Sequence, residues 1–286
     1  MILSYYRNQA KQFGLVAATW LLWRVAWRRA RVIASNRILS STLECPCCGW
    51  RGARFFDYIE MGYTSRSEEC PNCASHSRHR ALFLWLRDQY QVQNKSGRAL
   101  IFAAERSLEP LWNAAKNLKT YRIDLDQNRA VDVIADIARL PFASNIADLI
   151  WCHHVLEQVE DDRAALRELH RACADSGQLV VSVGMSGESV TREFGFSDKR
   201  LSGNRRCFGA DFQNRLVDAG FLVTSMDYQL TESECRLYGI SRQRFYVCRK
   251  SNSNILRPRI EAELNQFQSW PVDPSRVCRR VTDAVR

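Results

Sequence analysis

The stretch LIFAAERSLEP, Leu100 to Pro110, has the composition of a buried parallel strand followed by a loop and a helix. Apolar residues lead into two alanines and an acid, and Ser107 is a suitable N-cap for the helix that follows. Doubly wound α/β domains place a ligand loop at this point, after the carboxyl end of a strand. The loop has no glycine, so a site here would be built on small alanines.

Strands and helices alternate on both sides of this stretch. We predict strands at 98–105, 119–124, 131–136, 147–154, 178–184, 221–230 and 244–250, and helices at 81–90, 107–118, 161–174 and 209–220. This alternation with short connections predicts an α/β fold with a doubly wound, mostly parallel, seven-stranded sheet.

Acidic residues follow the first three predicted strands. Glu105 follows the first strand, Asp124 ends the second and Asp136 ends the third, while Cys152, His153 and His154 end the fourth. Carboxylates at the ends of the first two strands are suited to accept hydrogen bonds from ribose hydroxyls. An acid after the third strand can accept a hydrogen bond from an adenine amino group. The same acids repel a pyrophosphate, so a nucleoside with positive charge fits better. S-adenosylmethionine, a sulfonium, is such a ligand.

Four cysteines form two C-x-x-C pairs within residues 45–80. The pairs are Cys45 with Cys48 and Cys70 with Cys73, and we expect Cys47 to be a spare residue. Four thiolates make a closed tetrahedral site, which predicts a structural zinc ribbon. The basic residues of its second half, which include His79 and Arg80, are offset by local acids, and we expect a solvated charged face.

The net charge of +10 is concentrated at the two ends of the chain. Residues 1–43 hold seven basic residues and no acid, whereas residues 44–250 hold 28 basic and 27 acidic residues. We therefore do not expect nucleic acid as a partner. Eleven cysteines, an odd count, favour a reducing, cytoplasmic compartment over a disulfide framework.

Residues 12–34 have the pattern of a basic amphipathic helix. Trp20, Trp23 and Trp27 share one side of it, and Arg24, Arg28 and Arg31 share another. The apolar run is too short to span a membrane. Two alternatives remain: peripheral contact with an anionic membrane, at the inner face, or packing of the aromatic side on this chain or a second subunit.

The chain resembles class I S-adenosylmethionine-dependent methyltransferases, type 11-like, in the group with an N-terminal four-cysteine ribbon. The resembling segments are CPCCGWRG, CPNCASHSRHR, LIFAAE, FYVCRK and the run from Asp136 to Val183. The resemblance implies cofactor contacts at Glu105, Asp124, Asp136 and Ile137, backbone from Ala103 and Ala104 at the methionine end, and Cys152 and His153 beside the adenosyl group. The chain departs from the group at Ala104, often proline, and at Gln158, usually histidine.

These observations predict four parts: an N-terminal helix (1–43), a zinc ribbon (44–80), a methyltransferase domain (81–250) and a tail (251–286). We expect methyl transfer to an unidentified small molecule or glycan, or to a membrane-associated metabolite. The alternative is an inactive zinc-ribbon adaptor with a degenerate methyltransferase body. His153 and His154 are candidate bases, and we expect Glu157 to be a cap or packing partner of the next helix. Residues 185–209 read as a long loop whose arginines could meet an acidic acceptor.

Overall fold

The computed structural model describes residues 2–126, 131–227, 230–241 and 244–251, so the predicted tail lies outside the described residues apart from Ser251. The helices are α1 (Ile2–Phe13), α2 (Leu15–Ile38), α3 (Ser77–Leu84), α4 (Glu109–Ala114), α5 (Asp162–Ala172), α6 (Phe212–Asp218) and α7 (Glu232–Tyr238). The strands are β1 (Leu43–Glu44), β2 (Arg51–Gly52), β3 (Phe56–Ile59), β4 (Thr64–Glu69), β5 (Gly97–Phe102), β6 (Leu118–Asp124), β7 (Val133–Ile134), β8 (Ala147–His153), β9 (Cys173–Ser182), β10 (Arg192–Asp198), β11 (Asn204–Cys207), β12 (Phe221–Asp227) and β13 (Arg244–Lys250).

Seven strands form one sheet in the order β12–β13–β9–β8–β5–β6–β7. The neighbours from β9 to β7 pair in parallel, whereas β13 pairs antiparallel with both β9 and β12. The predicted doubly wound, mostly parallel sheet is confirmed. The carboxyl ends of β5, β6, β8 and β9 therefore lie at the same edge of the sheet.

The central strands are buried on both faces, which explains their almost unbroken apolar sequences. In β5, Leu100 and Phe102 pack into one hydrophobic layer, while Ala99 and Ile101 pack into the other. The same alternation continues in the neighbouring strands β8 and β9. Because both layers are closed, a ligand can reach this sheet only at its edge.

Helix α3 joins the cysteine module to the sheet. It begins at Ser77, inside the predicted ribbon, and its buried Leu82 belongs to one of the two sheet layers. A π-helical turn (Trp85–Gln89) continues it. The predicted boundary after residue 80 thus falls within a helix that begins in the cysteine module and ends against the sheet.

Three local features differ from the sequence predictions. The N-terminal helix is two helices, because the chain breaks at Gly14, where φ is 88°. The predicted loop at 185–209 contains an antiparallel pair, β10 and β11, whose mostly exposed β10 gives no apolar alternation to read. Helix α7 was not predicted, and its seven residues include none that is buried.

The aromatic side of α2 faces outward. Trp20, Trp23 and Trp27 are 54%, 62% and 56% exposed, and Trp23 stacks on Trp27. Of the alternatives for this side, packing on the chain's own domain is only partial, because the three tryptophans border a groove with ribbon residues and stay more than half exposed. Two arginines hold the helix to the ribbon: Arg28 pairs with Asp57 at 2.6 Å, and Arg29 pairs with Glu69 at 2.5 Å. No described helix has the length and apolarity needed to cross a membrane.

Candidate functional site

Two similar turns carry the four cysteines of the predicted ribbon. In each turn the first cysteine donates its backbone N–H to the carbonyl five residues later, Cys45 to Trp50 (2.8 Å) and Cys70 to Ser75 (2.9 Å). The residue after the second cysteine has positive φ in both turns: Gly49 at 72° and Ala74 at 58°. This repeated geometry directs both side chains of each pair inward.

The four cysteine sulfurs fit a zinc ion. The Sγ atoms of Cys45 and Cys73 are 3.6 Å apart, those of Cys48 and Cys70 are 3.7 Å apart, and all four lie within 4.8 Å of one another. Tetrahedral ligation with Zn–S bonds of about 2.3 Å gives sulfur separations of roughly 3.8 Å. A zinc ion held here would be structural, because four thiolates leave no open position. Cys47 is outside this group, as expected for a spare residue.

Arg80 fastens the ribbon to the domain. It is fully buried, and its guanidinium donates to the carbonyls of Glu68 (3.0 Å) and Ser75 (2.7 Å) in the ribbon. It also donates to the carbonyls of Tyr238 (2.7 Å) and Gly239 (2.8 Å) at the end of α7. The prediction of a solvated charged face is wrong at Arg80, because distant backbone carbonyls supply its partners.

Gly239 makes this contact sterically feasible. It ends α7 with φ 55°, and a Cβ placed on it would lie 2.7 Å from the ring of the ribbon residue Phe55. Phe55 in turn lies under the Arg80 guanidinium, 4.0 Å from it. The ribbon and the domain therefore meet through a packed, desolvated contact.

The candidate cofactor acid Glu105 lies between two buried histidines at the sheet edge. Its Oε1 is 3.1 Å from Nε2 of His79 in α3 and 3.4 Å from Nε2 of His153 at the end of β8. The other carboxylate oxygen, Oε2, is buried and has no hydrogen-bond partner among the described residues. A buried acceptor without a hydrogen bond destabilises the fold unless a ligand donates a hydrogen bond to it.

The other candidate acids lie at the same edge: Asp124 ends β6, whereas Asp136 lies two residues beyond β7, which is shorter than the predicted strand at 131–136. Oδ1 of Asp124 accepts from the backbone N–H of Asp126 at 3.0 Å, and Oδ1 of Asp136 accepts from Ala138 at 2.9 Å. Each forms a short local turn that fixes its carboxylate after its strand. Ile137 and Cys152 have side chains in the buried sheet layer, so only their backbones could border a ligand.

The alanines after β5 adopt the backbone shape that glycine usually supplies. Ala103 has φ 47°, in the left-handed region, and its N–H donates to the Ile123 carbonyl at 2.9 Å. Ala104 packs partly buried beside the second sheet layer. The loop therefore turns as a glycine-containing loop would. The left-handed conformation of Ala103 costs about 1–2 kcal/mol of conformational free energy.

The two candidate bases occupy different environments. His153 is buried, and its Nδ1 contacts the Ser182 hydroxyl; burial, together with the nearby positive charge of Arg78, lowers its pKa well below the usual value. His154 keeps 31% of its side chain exposed, and its Nδ1 lies 2.8 Å from Oε1 of Glu157. Only His154 is open enough to meet an acceptor.

Glu157 holds His154 rather than capping the next helix. Glu157 was expected to be a cap or a packing partner of the next helix; the N-cap of α5 is Asp161, which excludes the first of these roles. Glu157 is buried and accepts from the Gly184 N–H at 2.5 Å. Burial would raise its pKa, but the His154 imidazole and the Gly184 N–H outweigh burial and lower it. The positive φ of His154, 52°, adds backbone strain of the kind that collects at functional sites.

The arginines of residues 185–209 have internal partners. Arg206 is buried and donates to the carbonyls of Leu156 (2.9 Å) and Glu160 (2.9 Å), so it supports the segment before α5. Arg200 pairs with Asp198, and Arg205 lies 3.3 Å from Glu160. We therefore assign no acceptor contact to Arg206.

Sequence reasoning missed His79, Ser182 and the pairing of Glu157 with His154. The i, i+3 spacing of His154 and Glu157 was a readable signal. His79 gave none, because its contact with Glu105 depends on how the ribbon docks.

Comparison with known proteins gives a family match within the domain. Residues 92–181 match the family described as "Methyltransferase domain". A malonyl-[acyl-carrier protein] O-methyltransferase of Gallionella capsiferriformans is 32% identical over 105 residues, covering 35% of this chain and 36% of that protein. An uncharacterized protein of Methanocaldococcus jannaschii is 31% identical over 97 residues, covering 32% of this chain and 42% of that protein. The matches thus span less than half the length of these two relatives.

A solved S-adenosylmethionine-dependent methyltransferase from Mesorhizobium loti is also similar. Its sequence is 14% identical, the alignment covers 59% of this chain and 98% of that chain, and the TM-score is 0.44. A likeness at this level supports no conclusion about activity.

Proposed function

We propose that this chain, which contains a Rossmann-like S-adenosylmethionine-dependent methyltransferase domain, transfers the methyl group of that cofactor to a small-molecule acceptor. The observation that carries the proposal is the orphaned Oε2 of Glu105 at the tip of β5, within the part of the chain that matches the methyltransferase family. A buried carboxylate oxygen without a partner suits a cationic ligand, and S-adenosylmethionine is cationic at its sulfonium and ammonium groups.

Each candidate residue has a distinct part in holding the cofactor. The sequence suggested a ribose contact for Glu105, but its orphaned oxygen favours a cationic group, so Glu105 and the backbone of Ala103 and Ala104 would border the methionine end. Asp124 would then border the ribose and Asp136 the adenine. The bound cofactor supplies an activated methyl group with its own leaving group. The chain then has to align the acceptor with that methyl group and exclude water.

A hydroxyl acceptor also needs a base, and His154 is the candidate. Its ring is half-buried, and Glu157 orients it through the 2.8 Å contact at Nδ1, which leaves Nε2 to take a proton. One relative is named as an O-methyltransferase, which supports testing hydroxyl and carboxyl acceptors first. With a hydroxyl acceptor we expect His154→Ala to lower kcat by roughly 10²- to 10⁴-fold with cofactor affinity unchanged, whereas a carboxylate acceptor carries no proton for His154 to remove.

Calorimetric titration with S-adenosylmethionine tests the binding step. We expect the wild type to bind, and Asp124→Ala and Asp136→Ala to bind at least tenfold more weakly. Asp148→Ala is the matched control, because Asp148 caps the opposite edge of the sheet by accepting from the Arg98 N–H at 2.8 Å. Equal affinity for all four proteins would exclude a cofactor site at the acidic edge.

A second candidate function is an adaptor that no longer binds cofactor. The observation that favours it is that two histidine side chains already contact Oε1 of Glu105, in a loop without glycine. The same titration separates the two functions. An adaptor predicts no heat of binding from the wild type, whereas a methyltransferase predicts saturable binding.

We also propose that α2 contacts an anionic membrane and brings the domain near a membrane-associated metabolite or glycan acceptor. Trp20, Trp23 and Trp27 form an exposed stripe flanked by basic residues, and two arginine ion pairs hold the helix to the ribbon. Co-sedimentation with phosphatidylglycerol vesicles should fall strongly when the three tryptophans become serine. Phe196→Ser, which removes an exposed aromatic residue from β10, is the control and should bind like wild type.

A further inference from the structure

The ribbon contributes a side chain to the edge of the sheet where the candidate cofactor acids lie. His79 is in α3, only six residues after the metal-ligand candidate Cys73, and its Nε2 lies 3.1 Å from Glu105 Oε1. The contact is short but not well aligned, and neither His79 Nε2 nor Glu105 Oε2 has a hydrogen-bond partner among the described residues. The ribbon therefore touches the acid that is expected to meet the cofactor.

The hydrogen bonds around His79 determine where its proton lies. The backbone N–H of His76 donates to Nδ1 of His79 at 3.1 Å, so Nδ1 must present a lone pair. Burial lowers the pKa of His79 against the opposing effect of Glu105, so the ring is neutral near pH 7. In a neutral ring with an accepting Nδ1, the proton is on Nε2 and faces Glu105.

This tautomer argues against a second metal ion. His79, Glu105 and His153 lie close enough to hold one. A metal would need the lone pair of Nε2, and Nδ1 would then carry a proton directed at the His76 N–H. Two donors would face each other in a buried position, which is unfavourable.

We infer that His79 is a positioning residue through which the zinc ribbon fixes the position of the cofactor-binding carboxylate of Glu105. A neutral imidazole whose protonated Nε2 lies 3.1 Å from Oε1 restricts the position of the carboxylate and leaves its negative charge intact, whereas a lysine or arginine would cancel that charge. The inference rests on the proposed function. It predicts that the contribution of His79 is specific to ligands with positive charge at the methionine end.

The experiment uses the full-length, zinc-loaded protein and calorimetric titration with three ligands. S-adenosylmethionine and S-adenosylhomocysteine carry an ammonium group, and 5′-deoxy-5′-methylthioadenosine carries no positive charge. We expect His79→Phe to weaken the two charged ligands at least tenfold and the neutral one less than twofold. His79→Gln, whose amide N–H can occupy the place of Nε2–H, should stay within about threefold of wild type.

A double-mutant cycle separates positioning from general structural damage. In a Glu105→Gln background, His79→Phe should have no further effect, because no charge remains to be positioned. An equal loss for all three ligands, or an additive cycle, would overturn the inference. So would a second equivalent of bound metal that disappears in His79→Gln.

The failure of the two ideas can be told apart. If the wild type binds none of the three ligands, the proposed function fails and this inference with it. If the wild type binds them and His79→Phe binds them equally well, only the inference fails. Zinc content and melting temperature of each variant show whether the ribbon remains folded.

Discussion

Replacing Arg80 with methionine should separate the ribbon from the domain. The change removes four hydrogen bonds of 2.7–3.0 Å from a fully buried guanidinium, and it leaves four backbone carbonyls without that donor. It also removes the stacking of the guanidinium over Phe55 at 4.0 Å. Methionine fills part of the space but donates nothing.

The expected loss is about 3–5 kcal/mol. Hydrogen bonds to a charged group contribute roughly 1.5–3 kcal/mol each, so four would give about 6–12 kcal/mol if they were additive. The desolvation of the guanidinium, which is also what lowers the pKa of Arg80, offsets a large part of that sum. A buried carbonyl left without its donor costs roughly 1–3 kcal/mol, and relaxation around the smaller methionine recovers part of that cost, which gives the net loss of about 3–5 kcal/mol.

Thermal unfolding of the zinc-loaded protein measures the effect. At roughly 2–4 °C per kcal/mol for a chain of this size, the melting temperature should fall by about 6–20 °C. Arg78→Met is the matched control on the same helix, because the Arg78 guanidinium is only half-buried and contacts the His76 ring at 3.0 Å. The control should lose less than about 4 °C. If both variants melt within 3 °C of wild type, the assigned role of Arg80 is wrong.

Three further outcomes follow from the described geometry. Ala103→Gly should raise the melting temperature by about 1–4 °C, because relief of left-handed strain (about 1–2 kcal/mol) exceeds the entropic cost of glycine (about 0.5–1 kcal/mol), whereas Ala99→Gly in the regular strand β5 should lower it. Cys70→Ser should reduce bound zinc from one equivalent to near zero by elemental analysis, and Cys47→Ser should keep it. The pKa of His153 is depressed in the folded state, so its contribution to stability is complete above the ordinary value of about 6.5 and is lost as the pH falls below it. Between pH 6.5 and 5 the wild type should therefore lose more stability than His153→Gln in urea titrations, and parallel curves would contradict that assignment.

The central part of the sheet could be predicted because burial on both faces forces apolar runs that are visible in the sequence. Strand β13 was predicted at its observed limits, Arg244–Lys250, and β8 to within one residue at its end. Helix ends were less accurate, as α4 shows: residues 107–118 were predicted and Glu109–Ala114 is observed. The pairing of β10 with β11 was missed, because an exposed hairpin needs no hydrophobic alternation.

The candidate site divides in the same way. The two cysteine pairs and the acids at the strand ends could be found from spacing and position in the sequence alone, and their assigned roles at the cofactor site stay predictions. The environment of each side chain could not be found in this way. His153 and His154 are adjacent in sequence, yet one is enclosed beside Ser182 and the other is half-buried beside Glu157.

The sequence by itself determined the seven-stranded α/β sheet and the spacing of the four candidate metal ligands, because periodicity and short-range spacing are local properties. Three findings required the tertiary structure. Arg80 is buried and connects the ribbon to the domain by hydrogen bonds, the tryptophans of α2 are exposed, and His79 contacts Glu105. Each of these depends on partners that are distant along the chain. A charged or aromatic side chain becomes buried only when a remote segment supplies hydrogen bonds and excludes water, and no local pattern records that event.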